Sequence, residues 1–324
     1  MLRSCLRPPF GILTGRKYAT VSSSILASSR PEHIQAIPSE LDKVLLTSLS
    51  AQLNGPPLRD LIQQYVERSG HILPSSLPYE SRPTPQRRVT FDGGDSVVMI
   101  AHCACDHTGK HAVTVSSGFA LAIPGDPDAG SFILTCAHTL EEIRRSPLLV
   151  DGQAGSTGSF LVSGAGQSFS VRSVSSIVSA VPRSDILVLR SESPALPALP
   201  VSPYPAPRGT AIRAHFVTHV HPEEPGWTPW VGGSWSKWVQ DTVLGYRDFA
   251  GRETEPGTYD SLSHMLFSAL PTPGSSGGPI VDEESGAVIG VMLGTRMDNR
   301  VEGVRGWGVP SETIFEMFSL PIAR

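Results

Sequence analysis

Pro273-Gly274-Ser275-Ser276-Gly277-Gly278-Pro279 is the stretch around which the rest of the chain is read. Its glycines let the backbone turn tightly and let another chain approach closely. Such a turn presents one serine hydroxyl and aims nearby backbone N–H groups at a single point. That is the geometry of a nucleophile beside an oxyanion hole. A Gly/Ser/Pro turn is also an ordinary loop, so the chemical reading requires a histidine and an aspartate in suitable contexts upstream.

Both are present. Ser131-Phe132-Ile133-Leu134-Thr135 reads as a strand and runs directly into Cys136-Ala137-His138, a histidine just past a strand end and preceded by small residues. Ser184-Asp185-Ile186-Leu187-Val188-Leu189 puts an aspartate at the head of an apolar strand. Alone, each is a packed, surface or strand-start residue; together their order carries the signal. His138, Asp185, Ser276 is the chain order of chymotrypsin-like triads and differs from those of subtilisins and α/β-hydrolases.

These stretches resemble the trypsin-like serine peptidases of the chymotrypsin-fold clan, whose nucleophile motif is Gly-x-Ser-Gly-Gly-Pro. Aligning the glycines makes Ser276 the nucleophile and leaves Ser275 at the variable position. Trp307-Gly308-Val309-Pro310-Ser311 resembles the Gly-Phe-Ala-Ile-Pro-Ser pattern that closes HtrA-type protease domains, and Ser117-Gly118-Phe119 and Gly286-Ala287-Val288-Ile289-Gly290-Val291 also have HtrA-like counterparts. The resemblance covers residues 95–324. As the chain ends at Arg324, no PDZ domain is expected, and the long segment between Asp185 and Ser276 departs from the HtrA pattern.

The resemblance implies a mainly β fold: two six-stranded antiparallel β-barrels, with an N-terminal helical extension and a C-terminal helix. It implies a serine endopeptidase acting on polypeptides without a cofactor. His138 takes the proton of Ser276, Asp185 orients His138, and the backbone N–H groups of Gly274 and Ser276 form the oxyanion hole. It places Leu270 at the base of the primary specificity pocket and Met292, Leu293 and Gly294 in its wall, so cleavage after apolar residues is expected. Ser275 stands where trypsin-type zymogens carry the aspartate that receives a new N-terminus, so activation by cleavage at Arg88-Val89 is not expected. Two rivals share the motifs: a protease-fold binding module without activity, and an esterase using the same triad.

Composition agrees with a turn-rich β protein. The 324 residues include 31 Gly and 29 Pro, with 40% apolar and 17% charged side chains. The net charge of −4 gives no basic footprint for nucleic acid. No run of about 18 apolar residues predicts a membrane span. The oligomeric state is not legible.

The first thirty residues contain Arg3, Arg7, Arg16, Lys17, Arg30 and many serines, but no acid. This composition predicts a mitochondrial transit peptide over residues 1–18 and delivery to the matrix; a disordered basic tail is the alternative. Three cysteines follow it, Cys103, Cys105 and Cys136, an odd number that fits a reducing compartment rather than a disulfide framework.

Leu41, Val44, Leu45, Leu49 and Leu53 recur at helical spacing, as do Leu58, Leu61, Ile62, Tyr65 and Val66. They predict a helical hairpin, followed by a Pro-rich linker over 71–88 and the protease domain over 89–324. Residues 102–111 carry His102, Cys103, Cys105, Asp106, His107 and His111, but in no recognised zinc spacing, so no metal site is expected. Trp227, Trp230, Trp235 and Trp238 are read as packing residues of the second half rather than a binding surface.

Overall fold

The computed structural model describes residues 39–51, 55–91, 96–124, 130–166, 168–192, 196–258 and 261–320. All of them fall in one compact unit, Gln35–Arg324. The expected transit peptide lies outside the described residues.

The first half is built from β1 (Val97–Cys105), β2 (His111–Leu121), β3 (Ser131–Cys136), β4 (Ser156–Ala165), β5 (Ser168–Ser173), β6 (Ser176–Val181), β7 (Ile186–Ser191) and the short β8 (Ala198–Leu199). The strands run in the order β5-β4-β1-β2-β3-β7-β6, with β8 parallel to β2. The second half comprises β9 (Ala211–Thr218), β10 (Thr228–Pro229), β11 (Trp235–Arg247), β12 (Glu253–Thr254), β13 (His264–Phe267), β14 (Pro279–Asp282), β15 (Val288–Asn299) and β16 (Gly303–Pro310). Here β9-β11-β13-β16-β15-β14 closes on β9 as a six-stranded antiparallel barrel, and β10 and β12 pair with β11. The fold is therefore mainly β and chymotrypsin-like, with one amendment to the expectation. The second half is a closed six-stranded barrel, whereas the first is an eight-stranded sheet with no pairing between β5 and β6 among the described residues.

A helix supplies the reason. Two helices precede β1: α1 (Ser39–Ser50) and α2 (Leu58–Glu67). α2 sits across the two ends of the open sheet. Leu58 N–H donates to Thr157 Oγ1 of β4 at 3.0 Å, and Gln64 Oε1 accepts Ile177 N–H of β6 at 2.8 Å. Its Leu58, Leu61 and Tyr65 enter the core formed by Val98, Ile100, Leu161, Ile177, Leu187 and Leu189. α2 thus covers apolar surface that a direct β5–β6 pairing would otherwise enclose.

α1 packs elsewhere. Leu41, Leu45 and Leu49 lie against Val97, Met99, Val115, Phe160 and Val162, and against Trp230 and Val231 of the second half. β1 is consequently buried on both faces, which matches its nearly unbroken apolar sequence. The two helices belong to different cores, so the expected hairpin is replaced by two separately docked helices. The 71–88 segment is likewise a packed strap. Leu73 N–H donates to Met317 O (2.8 Å), Glu80 N–H to Val201 O (3.1 Å) and Val89 N–H to Gly286 O (3.0 Å). Leu77 is buried within it.

The core between the halves combines Phe119, Leu134 and Val188 with Val281, Val288, Val291 and Val309, closed by Ile314, Met317 and Phe318. The C-terminal helix is a single turn, α5 after α3 (His138–Arg144) and α4 (Pro147–Val150), spanning Glu312–Phe315. Ser311 precedes it, but its hydroxyl donates to Ser202 O at 2.6 Å instead of capping it. Of the tryptophans, Trp230 is buried with His215 edge-on at 5.3 Å, and Trp238 contacts the same ring at 5.0 Å.

Candidate active site

His138 is the first residue of α3, two residues beyond the end of β3. Asp185 ends a one-turn 3-10 helix (Pro182–Ser184) immediately before β7. The antiparallel β3–β7 ladder ends on the pair Cys136 and Ile186, which brings the two residues together. Asp185 adopts φ +56°, the one positive φ outside glycine among the described residues. This left-handed conformation is tolerated by aspartate at a modest cost. It is held by Ala137 N–H, which is shared between Asp185 O (2.9 Å) and Oδ1 (3.1 Å). Oδ2 is then 2.5 Å from His138 Nδ1.

That bond fixes the tautomer of a neutral His138: Nδ1 carries the proton and Nε2 keeps its lone pair. Burial opposes protonation of the ring, but Cys136 and the Asp185 carboxylate outweigh it and raise the His138 pKa above its ordinary value. The ring remains 40% exposed and Asp185 27%, so a substrate can reach the pair.

The loop bearing Ser276 is stitched to three strands. Ser117 N–H of β2 donates to Ser276 O (2.7 Å), and Ser117 Oγ donates to Gly274 O (2.9 Å). Gly277 N–H donates to Met292 O of β15 (2.7 Å), and Met292 N–H returns to Gly278 O (2.8 Å). Val217 of β9 holds the third side: its N–H donates to Ser275 Oγ at 2.8 Å, and its carbonyl accepts from Thr272 Oγ1. Gly277 has φ +83°, and a Cβ there would lie 2.2 Å from Ser117 O, so the crossing of the two halves admits glycine alone. Gly274 has φ +92°, and its face is covered by His219 Nε2. Both His219 ring nitrogens are buried without a partner among the described residues, and burial pushes its pKa down to about 4.

Ser276 is half-buried, and its hydroxyl donates to Leu293 O at 3.0 Å. His138 Nε2 faces Cys136 Sγ at 3.7 Å. The structure therefore brings His138 and Asp185 into contact and directs the Ser276 hydroxyl at Leu293. Among the described residues, neither Gly274 N–H nor Ser276 N–H has a protein acceptor, which leaves both available as donors. Met292 is fully buried in the barrel core and Leu293 nearly so. Gly294 has open space around its Cα, and Leu270 is 51% exposed. Leu270 thus forms no enclosed pocket floor; it stands on the surface of the loop before Ser276.

The sequence motifs assign no role at the site to Ser117, Val217 or Cys136. Cys136 carries a signal, its place two positions before His138. Ser275 was read as a free variable position; the structure buries it completely as the anchor of the loop. Ser275→Ala leaves the buried Val217 N–H unpaired and is expected to lower stability by about 1–3 kcal/mol, with active-site labelling retained. A thermal melt and labelling with a serine-directed probe check this. An unchanged melting temperature would remove the anchoring role.

A family model described as a trypsin-like peptidase domain matches residues 116–291, a span that contains His138, Asp185 and Ser276. Comparison with curated proteins finds no match. Among solved structures, the chain is similar to Deg5 at 19% identity, covering 68% of this chain and 85% of that one, with a TM-score of 0.44. It is similar to the active form of the Rv3671c protease from M. tuberculosis at 19% identity, covering 78% and 92%, with a TM-score of 0.42. An HtrA-type protease with a decapeptide is similar at 16% identity, covering 70% and 62%, with a TM-score of 0.41.

Proposed function

Because the chain belongs to the trypsin-like peptidase family, we propose that it is a serine endopeptidase using Ser276, His138 and Asp185, and that it works in the mitochondrial matrix. The observation that carries the catalytic part is the 2.5 Å contact between Asp185 Oδ2 and His138 Nδ1. It keeps Nε2 as the unprotonated ring nitrogen, on a partly exposed ring, in a chain whose glycine-rich turn supplies the serine.

The chemistry proceeds in two halves. Ser276 Oγ leaves Leu293 O, passes its proton to His138 Nε2 and attacks the peptide carbonyl. The carbonyl oxygen becomes an oxyanion held by the N–H groups of Gly274 and Ser276; one such donor contributes about 2.7–4 kcal/mol. His138 then gives its proton to the leaving amine, and the acyl group stays on Ser276. A water repeats the attack with His138 again as base, releasing the acid and restoring the serine. Asp185 stays ionised throughout and stabilises the imidazolium.

A fluorophosphonate probe tests the assignment. Labelling of the wild-type chain at Ser276 is expected, with casein cleaved in preference to simple esters. A chain that takes no label is a binding module, and one that labels but cleaves only esters is an esterase. The matrix assignment rests on the composition of residues 1–18, and import of a tagged full chain into isolated mitochondria, with shortening at the N-terminus, checks it.

The base must be neutral to accept the serine proton. With the His138 pKa raised, the imidazolium persists to higher pH than an ordinary histidine's. The rate constant of a chemistry-limited assay is therefore expected to rise with pH, with an acid limb above about 6.5. A profile already flat from pH 6 upward would contradict either the base or its environment.

A further inference from the structure

The catalytic base has a second neighbour that the peptidase mechanism does not use. Cys136 Sγ lies 3.7 Å from His138 Nε2, on the nitrogen that the serine needs. Zinc binds thiolate sulfur at about 2.3 Å and imidazole nitrogen at about 2.0–2.1 Å. At the tetrahedral angle these bond lengths separate the two donor atoms by about 3.6 Å. The observed spacing needs almost no adjustment to accept one ion.

The surrounding groups point the same way. Metal-binding histidines commonly donate their other ring N–H to a carboxylate, which fixes the tautomer and strengthens the donor nitrogen. Asp185 does this for His138. Ser276 Oγ is engaged by Leu293 O, which leaves Nε2 to Cys136. The thiol itself is buried, so an ion enters from the side of the exposed His138 ring.

We propose that Cys136 Sγ and His138 Nε2 form an inhibitory zinc site that switches the peptidase off by occupying its base. The inhibition rests on His138 acting as that base; the binding does not. On binding, the Cys136 S–H bond breaks, the proton leaves to solvent, and the thiolate and the Nε2 lone pair each form a bond to Zn²⁺. Water fills the remaining positions. A thiolate–imidazole pair selects zinc over magnesium or calcium. Among the described residues no third His, Cys, Asp or Glu joins to make a larger cluster. A two-residue site is weak enough to release its ion, as a reversible inhibitor requires.

The test uses the full chain and two probes, Zn²⁺ by calorimetry and Co²⁺ by absorption. One equivalent of Co²⁺ is expected to give a thiolate-to-metal charge-transfer band, which zinc abolishes. Cys136→Ala should remove the band and weaken zinc binding by tenfold or more, whereas Cys105→Ala, at the half-buried thiol of β1, should keep both. Cys136→Ser, close in volume, replaces the alanine variant if that fails to fold. In the activity arm, zinc inhibits the wild-type chain reversibly by chelator, and inhibits Cys136→Ala at least tenfold less strongly relative to its own metal-free rate. Absence of the band in the wild-type chain, or equal zinc affinity or inhibition with and without Cys136, overturns the proposal. A chain that binds cobalt through Cys136 but hydrolyses nothing refutes the peptidase reading and the inhibition, and leaves the metal site standing.

Discussion

Ser276→Ala is expected to lower kcat by a factor on the order of 10⁶ and to abolish fluorophosphonate labelling. The size follows from the loss of the covalent route through Ser276. The fold should survive, because the hydroxyl makes a single hydrogen bond, to Leu293 O, worth about 1 kcal/mol. Single-turnover kinetics beside a thermal melt separate the two effects. A Ser276→Ala chain that still labels and turns over would place the nucleophile elsewhere. Ser275 is a poor candidate for that place, since its buried hydroxyl is committed to Val217 N–H.

A chain beginning at Val89 is expected not to fold. It lacks Leu41, Leu45, Leu49, Leu58, Leu61 and Tyr65, all buried in cores shared with the sheets. At about 1.5–3 kcal/mol for each fully buried apolar side chain, their loss is about 9–18 kcal/mol. That is as large as the whole stability of a typical domain, about 5–15 kcal/mol. Circular dichroism melts and dye binding to exposed apolar surface check it. A cooperative transition within a few degrees of that of the full chain would show that the helices are dispensable. Activation by a new N-terminus is not expected either: Val89 N–H is engaged by Gly286 O, and the neutral Ser275 and Thr272 order the Ser276 loop through Val217.

What the sequence disclosed and what it hid divide along physical lines. The meeting of His138 and Asp185 was legible because each sits in a short motif at a strand end. The closed second barrel was expected from the family resemblance, and the Gly- and Pro-rich composition agreed with a β fold. The open first sheet was not, because what replaces its closure is a helix drawn from about a hundred residues upstream. Helical periodicity showed that α1 and α2 have apolar faces, but said nothing of which cores they enter. Leu270 was misplaced because counting back from the nucleophile fixes neither the loop's path nor its exposure. Cys136 was passed over because a buried thiol and a small spacer look alike until the neighbouring ring nitrogen has a position.

The seat of α2 also governs how the molecule is made. Leu58 waits for Thr157, 99 residues later, and Gln64 for Ile177, 113 residues later. The strap closes later still, when Ser319 reaches Leu73 across 246 positions. A chain emerging amino end first displays these apolar helix faces long before their partners exist. Contacts so distant in sequence put folding in the millisecond-to-second range and leave the early segments prone to association. The helices that complete the first sheet are thus also the part of the newborn chain most in need of shelter by a chaperone.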